Sequence, residues 1–225
     1  MPLPPYQMPT IKAFIQARMS SSRFPGKVLA SFRGEPLIRH VVREVSRAIP
    51  FSDIVVTTSS EPSDDPVATY VGSLDINVFR GPLDNVFDRF SRCVALYPCD
   101  WILRISADSP LLDPDILRLV IEEAGNGDYD LISTIYPRTF PRGRNAELIK
   151  VATLLSIRVD ELSAEDQEHV TQCFYRDAKN YRIRNVRSSH DLSGLSLAVD
   201  TIEDLRRVES LSAEELKGYS ASYAS

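Results

Sequence analysis

The chain has 225 residues, 43% of them hydrophobic and 25% charged, with a formal net charge of -5. That length suits one substantial core and is short for two full domains. No apolar run approaches the roughly 18 residues needed to cross a bilayer, which excludes a membrane partner, and the net acidity excludes the extended basic footprint that nucleic acid requires.

Residues 1–9 are Pro-rich, without a basic n-region or an apolar h-region, and read as a flexible tail rather than a secretory signal. Cys93, Cys99 and Cys173 show neither CxxC nor zinc-finger spacing, so no disulfide framework or thiolate metal site is expected and the chain reads as cytoplasmic. Thr10 to Gln16 alternates as a first β-strand. Directly after it comes Ala17-Arg18-Met19-Ser20-Ser21-Ser22-Arg23-Phe24-Pro25-Gly26-Lys27. Three cations, three serines and a Pro-Gly turn in one loop offer hydroxyls, backbone N–H groups and fixed positive charge to an anion. Between Lys12 and Arg47 there are eight Lys/Arg against Glu35 and Glu44 alone. One basic segment in an acidic protein fits a small, highly charged ligand such as a polyphosphate. Arg39, Arg43 and Arg47 recur at helical spacing and read as a solvated helix face.

A helix beginning at Pro36 carries Leu37, Ile38, Val41, Val45 and Ile49 on one side. Further strands are expected at Asp53–Thr58, Ile76–Phe79, Trp101–Ile105 and Asp130–Thr134. Between them, Asp64 can cap a short helix, Asp84 a longer one bearing Val86, Phe87, Phe90 and Val94, and Asp113-Pro114 opens a fourth that ends near Gly125. Strand–helix alternation with short connections predicts an α/β protein with a mainly parallel sheet. After residue 135 the rhythm changes. A Pro/Arg/Gly-rich loop, Tyr136 to Arg144, precedes Glu147–Lys150 and a helix near Ala152–Arg158. A polar helix over Ala164–Ala178, strand-like Tyr181–Val186 and Ser196–Val199, and an amphipathic helix over Thr201–Leu211 complete the pattern. No linker divides these pieces, so residues 10–215 are expected to form one domain, with 136–195 as a subregion of it and 216–225 as a flexible tail.

In open α/β sheets ligands lie beyond the carboxyl ends of the strands. Asp108 follows the strand Trp101–Ile105, and Asp200 follows Ser196–Val199. Two such carboxylates can share a Mg²⁺ whose other ligands are waters and phosphate oxygens. Asp200 also admits a helix-capping role, because Thr201 and Asp204 follow it. The turn Phe79-Arg80-Gly81-Pro82-Leu83-Asp84-Asn85 feeds a helix N-terminus. It can be a cap with a surface ion pair, or a place where exposed N–H groups and Asn85 read a base or ribose. Neither a Walker loop, nor a dinucleotide fingerprint, nor a G-x-S-x-G elbow occurs. Of the three histidines, His169 in Glu168-His169-Val170-Thr171 is the one to watch.

With these motifs in this order, the chain resembles the acylneuraminate/Kdo cytidylyltransferase family, most closely its spore-coat polysaccharide biosynthesis (SpsF-like) branch. The likeness runs from about residue 10 to 210 and includes Gly34-Glu35-Pro36-Leu37-Ile38, Arg104-Ile105-Ser106-Ala107-Asp108, Asp191-Leu192-Ser193-Gly194-Leu195 and Val199-Asp200-Thr201-Ile202-Glu203-Asp204-Leu205. It implies a three-layer αβα, nucleotide-diphosphosugar transferase-like (GT-A-like) fold with a mostly parallel mixed sheet, and a homodimer joined through 136–195. It also implies Mg²⁺-dependent transfer of CMP from CTP to an acidic or modified sugar, with pyrophosphate release, in surface polysaccharide biosynthesis. By the same resemblance Arg18, Lys27 and Asp108 would be catalytic. Ala17, Arg18, Ser22, Arg23, Lys27, Arg80, Asp84 and Asn85 would bind the nucleotide, and Asp108 and Asp200 the metal. Arg144, Asn145, Glu147 and His169 would face the acceptor. The branch shows Gly-x-Asp-x-Glu where this chain has Gly143-Arg144-Asn145-Ala146-Glu147, which makes the acceptor region more cationic. A glycosyltransferase using a nucleotide-sugar donor, or a non-catalytic nucleotide-binding relative, are the competing readings.

Overall fold

Strand β1, Ile11–Gln16, is the hub of the sheet: it pairs in parallel with β4 (Ile54–Ser59) on one side and β6 (Trp101–Ser106) on the other. The computed structural model describes residues 9–219. Its seven-stranded sheet runs β5-β4-β1-β6-β8-β7-β9, where β5 is Asn77–Gly81, β7 Leu131–Ser133, β8 Glu147–Lys150 and β9 Ile183–Asn185. Strand β8 alone is antiparallel to its neighbours. A separate two-stranded hairpin pairs β2 (Ser31–Phe32) with β3 (Glu35–Pro36). Because β7 and β9 run in the same direction as β6, the loops that leave β1, β4, β5, β6, β7 and β9 all open on one rim.

Strands of a parallel sheet are buried on both faces, and β1 shows why the fold has three layers. Ala13 and Ile15 point into one core, shared with α1 (Leu37–Ser46), α2 (Asp65–Gly72), α4 (Pro114–Glu122) and α8 (Ile202–Ser210). Phe14 points into the other, shared with α3 (Val86–Leu96), α5 (Val151–Ser156) and α7 (Gln172–Arg176). There Phe14 meets Phe90 edge to face, with ring centroids 5.5 Å apart. The expected three-layer α/β class and mainly parallel mixed sheet are present. No helix among the described residues is long and apolar enough to cross a membrane.

Several expected elements differ. Pro36 is the N-cap of α1, not its first helical residue. The polar helix over Ala164–Ala178 is two pieces, α6 (Ala164–His169) and α7, because buried Val170 takes φ 45° and the Thr171 amide turns back onto the His169 carbonyl. Ser196–Val199 is not a strand, since only Ser196 makes a bridge, to Arg142. Its backbone is instead spent on Arg142 and Asp108, through Leu197 and Val199. Most of the two expected tails lies outside the described residues, and α9 (Ala213–Lys217) carries regular structure beyond residue 215.

Asp64 is fully buried and does not cap α2 with its side chain. Its carboxylate accepts from the Met19 amide at 2.7 Å, the Ser59 amide at 3.0 Å and the Ser59 hydroxyl. It thereby fastens the loop after β1 to the end of β4. Burial works to raise its pKa, but these bonds outweigh burial and hold it below its ordinary 3.8. The stability it supplies is therefore present above that value and lost as pH falls through the folded-state value. Asp64→Asn is expected to cost about 2–3 kcal/mol in urea denaturation at pH 7. Below pH 4 the variant should lose stability less steeply than the parent; parallel curves would remove Asp64 from the acid response.

Candidate active site

The loop after β1 is held in shape by its own backbone. The Ser21 and Gly26 amides both donate to the Met19 carbonyl, at 2.9 and 2.8 Å. Gly26 takes φ 75°, a conformation glycine adopts without strain, and starts the 3-10 turn Lys27–Leu29. That turn aims Lys27 inward. Its Nζ donates to Asp108 Oδ2, Asp200 Oδ1 and the Val199 carbonyl, each at 3.0 Å. The Val199 amide bonds the Asp108 carbonyl at 2.9 Å, so the backbones carrying the two aspartates lie side by side. The capping alternative for Asp200 is resolved: Thr201 is the N-cap of α8 and Asp204 completes the capping box, leaving the Asp200 carboxylate to the cations.

A cleft of about 270 Å³ opens above this group. Arg18, Ser22, Arg23, Lys27, Asp108, Asp200 and His169 all line it. Arg23 lies 3.0 Å from Asp200, and Arg18 pairs with Glu168 of α6 at 2.6 Å. Every cation of the loop thus has a carboxylate partner. The Arg18 and Arg23 pairs are partly exposed, and such pairs are worth at most about 1 kcal/mol, so an incoming polyanion can take the carboxylates' places. Asp108 and Asp200 supply hard oxygen donors around one cation, which fits Mg²⁺ with waters and phosphate oxygens completing its shell. Among the described residues no group of three or more His, Cys, Asp or Glu gathers to hold a metal by itself.

Other expected site residues are placed elsewhere. The amide of buried Ala17 is spent on the Thr57 carbonyl. Arg80 pairs with Asp65 at 2.6 Å and donates to the Ser59 and Glu61 carbonyls, bracing the β4–α2 connection. Asp84 is exposed, and the N-cap of α3 is Asn85, which accepts from the Asp88 amide and donates to Gln167 of α6 at 3.1 Å. Arg144 is buried, donates to the Tyr219 carbonyl and lies 3.4 Å from Asp113. Asn145 accepts from Arg138. Glu147 is buried and bound by Arg104 and by the Tyr175 hydroxyl. None of these seven lines the cleft.

The structure adds residues that spacing did not single out. Gln16 and Arg104 form the cleft floor, and Glu168 closes its side. Gln16 and Arg104 sit two residues apart in register on adjacent strands and so share a face, which alternation could have flagged. Near Arg18 lies Arg89 of α3, 0% exposed, whose guanidinium donates to the Pro82 carbonyl at 3.1 Å. Burial, then the charge of Arg18, pushes its pKa down to about 10, so it remains a cation at neutral pH. Its position in an amphipathic helix gave no such signal.

A model of the cytidylyltransferase family matches residues 13–220. The chain belongs to that family. It is 29% identical over 211 residues to the spore coat polysaccharide biosynthesis protein SpsF of Bacillus subtilis, covering 91% of this chain and 87% of that one. It is 32% identical over 130 residues to the 3-deoxy-manno-octulosonate cytidylyltransferase of Protochlamydia amoebophila, covering 56% of this chain and 49% of that enzyme. Among solved structures, a cytidylyltransferase from Leptospira borgpetersenii superposes with a TM-score of 0.85 at 25% identity, over 92% of this chain and 89% of that one. The CTP complex of CMP:2-keto-3-deoxy-manno-octonic acid synthetase superposes with a TM-score of 0.68 at 20% identity, over 92% and 99%, and shows the shared fold.

Lys27→Met leaves Asp108 and Asp200 facing one another without their common cation. A loss of about 1–3 kcal/mol is expected, discounted for the exposure of Asp200. Added Mg²⁺ should then raise the Tm of the variant more than that of the parent, because the ion replaces the missing charge. Equal Mg²⁺ responses in differential scanning fluorimetry would count against a shared carboxylate site.

Proposed function

We propose that this chain transfers CMP from CTP to an anionic, sugar-like acceptor and releases pyrophosphate, with Mg²⁺ as cofactor. The observation that carries the reading is Lys27, shared between Asp108 and Asp200 in a cleft that also holds Arg18 and Arg23. The acceptor class and a place in surface polysaccharide biosynthesis follow the relatives named for a 3-deoxy sugar acid and for spore coat polysaccharide. The reading includes cytoplasmic location and a homodimer joined through residues 136–195, as the family resemblance implies.

Transfer needs an acceptor oxygen in line with the bond to the leaving pyrophosphate, and neutralisation of the charge that grows there. Positioning and preorganised charge supply most of such catalysis. Arg18 and Arg23 offer bidentate donors to phosphate oxygens in exchange for Glu168 and Asp200, and Lys27 supplies a compact point charge. Ser22 adds a hydroxyl from the same loop. Asp108 and Asp200 would hold Mg²⁺, which when bound would supply Lewis-acid charge neutralisation to the triphosphate. Arg89, buried near Arg18, adds fixed positive potential without touching solvent. The N-terminus of α3 at Asp84 and Asn85, with Gln167 across from it, is the reading's place for the base.

Offered each of the four NTPs with Mg²⁺ and a panel of sugar acids and sugar phosphates, the purified protein should release pyrophosphate with CTP alone. Asp108→Asn should lower turnover at least 10³-fold while circular dichroism stays unchanged. Preference for another NTP would sink the cytosine assignment. Hydrolysis of a nucleotide-sugar without pyrophosphate release from CTP would favour a glycosyltransferase.

A further inference from the structure

The loop between β7 and β8 reaches the same rim as the cleft and carries positive charge that the protein does not neutralise. Arg138 is half-buried there, and its side-chain bond is to Asn145 Oδ1, a neutral amide. Arg142 is exposed and makes no side-chain hydrogen bond or ion pair among the described residues. Burial and then the nearby charge of Arg142 lower the pKa of Arg138, so the two guanidinium groups feel one another. The carboxylate beside them is Glu147, already committed to the Arg104 ion pair and to the Tyr175 hydroxyl at 2.5 Å. Arg187 and Asp191, on the segment whose Ser188 amide bonds Thr139, lie near enough to offset one another. Arg104 balances Glu147, so Arg138 beside it and Arg142 next to Arg138 are left as an excess of two positive charges. Tyr136 adds an apolar face: its ring stacks on Tyr175 with centroids 4.9 Å apart and stays 43% exposed.

We propose that Arg138, Arg142 and the exposed ring of Tyr136 form a subsite for a dianionic group of the phosphate monoester kind, carried by the acceptor; this rests on the cytidylyl-transfer reading above. Two planar guanidinium groups match the oxygens of such a group, and its two charges match the local excess. An aromatic face suits the C–H side of a sugar ring. The placement fits an acceptor spanning both sites. Arg104, on the cleft floor, pairs in register with Glu147, and Glu147 with Ser133, so the β7 end lies two strand spacings, about 10 Å, from β6. Asn145 sets the charge requirement, because a carboxylate at that position would neutralise Arg138.

The test is calorimetric titration of glucose 6-phosphate, gluconate, glucose and inorganic phosphate into protein saturated with a nonhydrolysable CTP analogue and Mg²⁺. That ligand occupies Arg18, Arg23 and Lys27, so they do not compete for the probes. Glucose 6-phosphate is expected to bind at least tenfold more tightly than gluconate, and glucose not measurably. Arg142→Gln and Asn145→Asp should each weaken glucose 6-phosphate at least tenfold and leave affinity for the CTP analogue unchanged. Equal affinity for glucose 6-phosphate and gluconate, or no effect of either variant, overturns the proposal. Inorganic phosphate binding as tightly as the sugar phosphate, with the same variant dependence, overturns the acceptor assignment. Failure of the CTP analogue to bind is the separate failure of the cytidylyl-transfer reading; the probes are then titrated into a variant combining Arg18→Gln, Arg23→Gln and Lys27→Gln, where the same expectations decide the subsite.

Discussion

The Lys27 ammonium joins three stretches of chain that sequence keeps far apart. It emerges from the loop after β1 and meets Asp108 after β6 and Val199–Asp200 before α8, each contact at 3.0 Å. Without such a cation, two carboxylates held by adjacent backbones would repel one another. The geometry that delivers Lys27 is itself costly to change. Gly26 must take a positive φ, the Met19 carbonyl must accept two amides, and Asp64 must hold Met19 against β4. The site is thus organised outward from one charge, and the sheet supplies the rim on which the three stretches meet.

The same arrangement explains how an anion can enter a cleft whose charges are already satisfied. Glu168 and Asp200 occupy the donors of Arg18 and Arg23 in the way phosphate oxygens can. Because those pairs are partly exposed, their exchange costs little. Lys27 differs, being 9% exposed and bonded three ways, so its charge stays in place whatever replaces its partners. Arg89 gives a second fixed charge close to Arg18. A buried guanidinium with unpartnered Nε and terminal nitrogen is unfavourable in isolation, and the nearby carboxylates of Asp64 and Glu168 offset part of that cost.

Much of this was legible in the residues, for identifiable reasons. Strong alternation located β1, β4 and β6, and apolar periodicity the first four helices, because local pattern and packing agree there; of the expected aspartate caps only Asp113 bonds its helix. The basic loop and the two strand-end aspartates also came through, since cations beside Gly and Pro have no structural use in a helix. Pairings decided by tertiary contact stayed hidden. Nothing local shows that Arg144 is spent on Asp113, that Arg80 braces β4, or that Asn145 faces Arg138 across the loop. Ser196–Val199 has strand composition, yet its backbone serves Asp108 and Arg142 instead of a neighbouring strand. Arg89 reads as an ordinary helix charge until the packing of α3 buries it.

The break at Val170 ties these points together. A β-branched residue at φ 45° is strained by sterics alone, and such strain persists only where the surroundings over-determine it. Here they do: Val170 is fully buried against the second core, and the capping box at Ser163 fixes the start of α6. Gln167 accepts from Asn85 and donates to the Leu162 carbonyl. The continuous helix suggested by the sequence would relax Val170 but rotate the residues before it relative to those after. Stopping α6 at His169 keeps Glu168 and His169 on the cleft wall while α7 turns Cys173 and Phe174 into the core. The strained residue is therefore what lets one short segment serve both the packing of the sheet and the charge balance of Arg18.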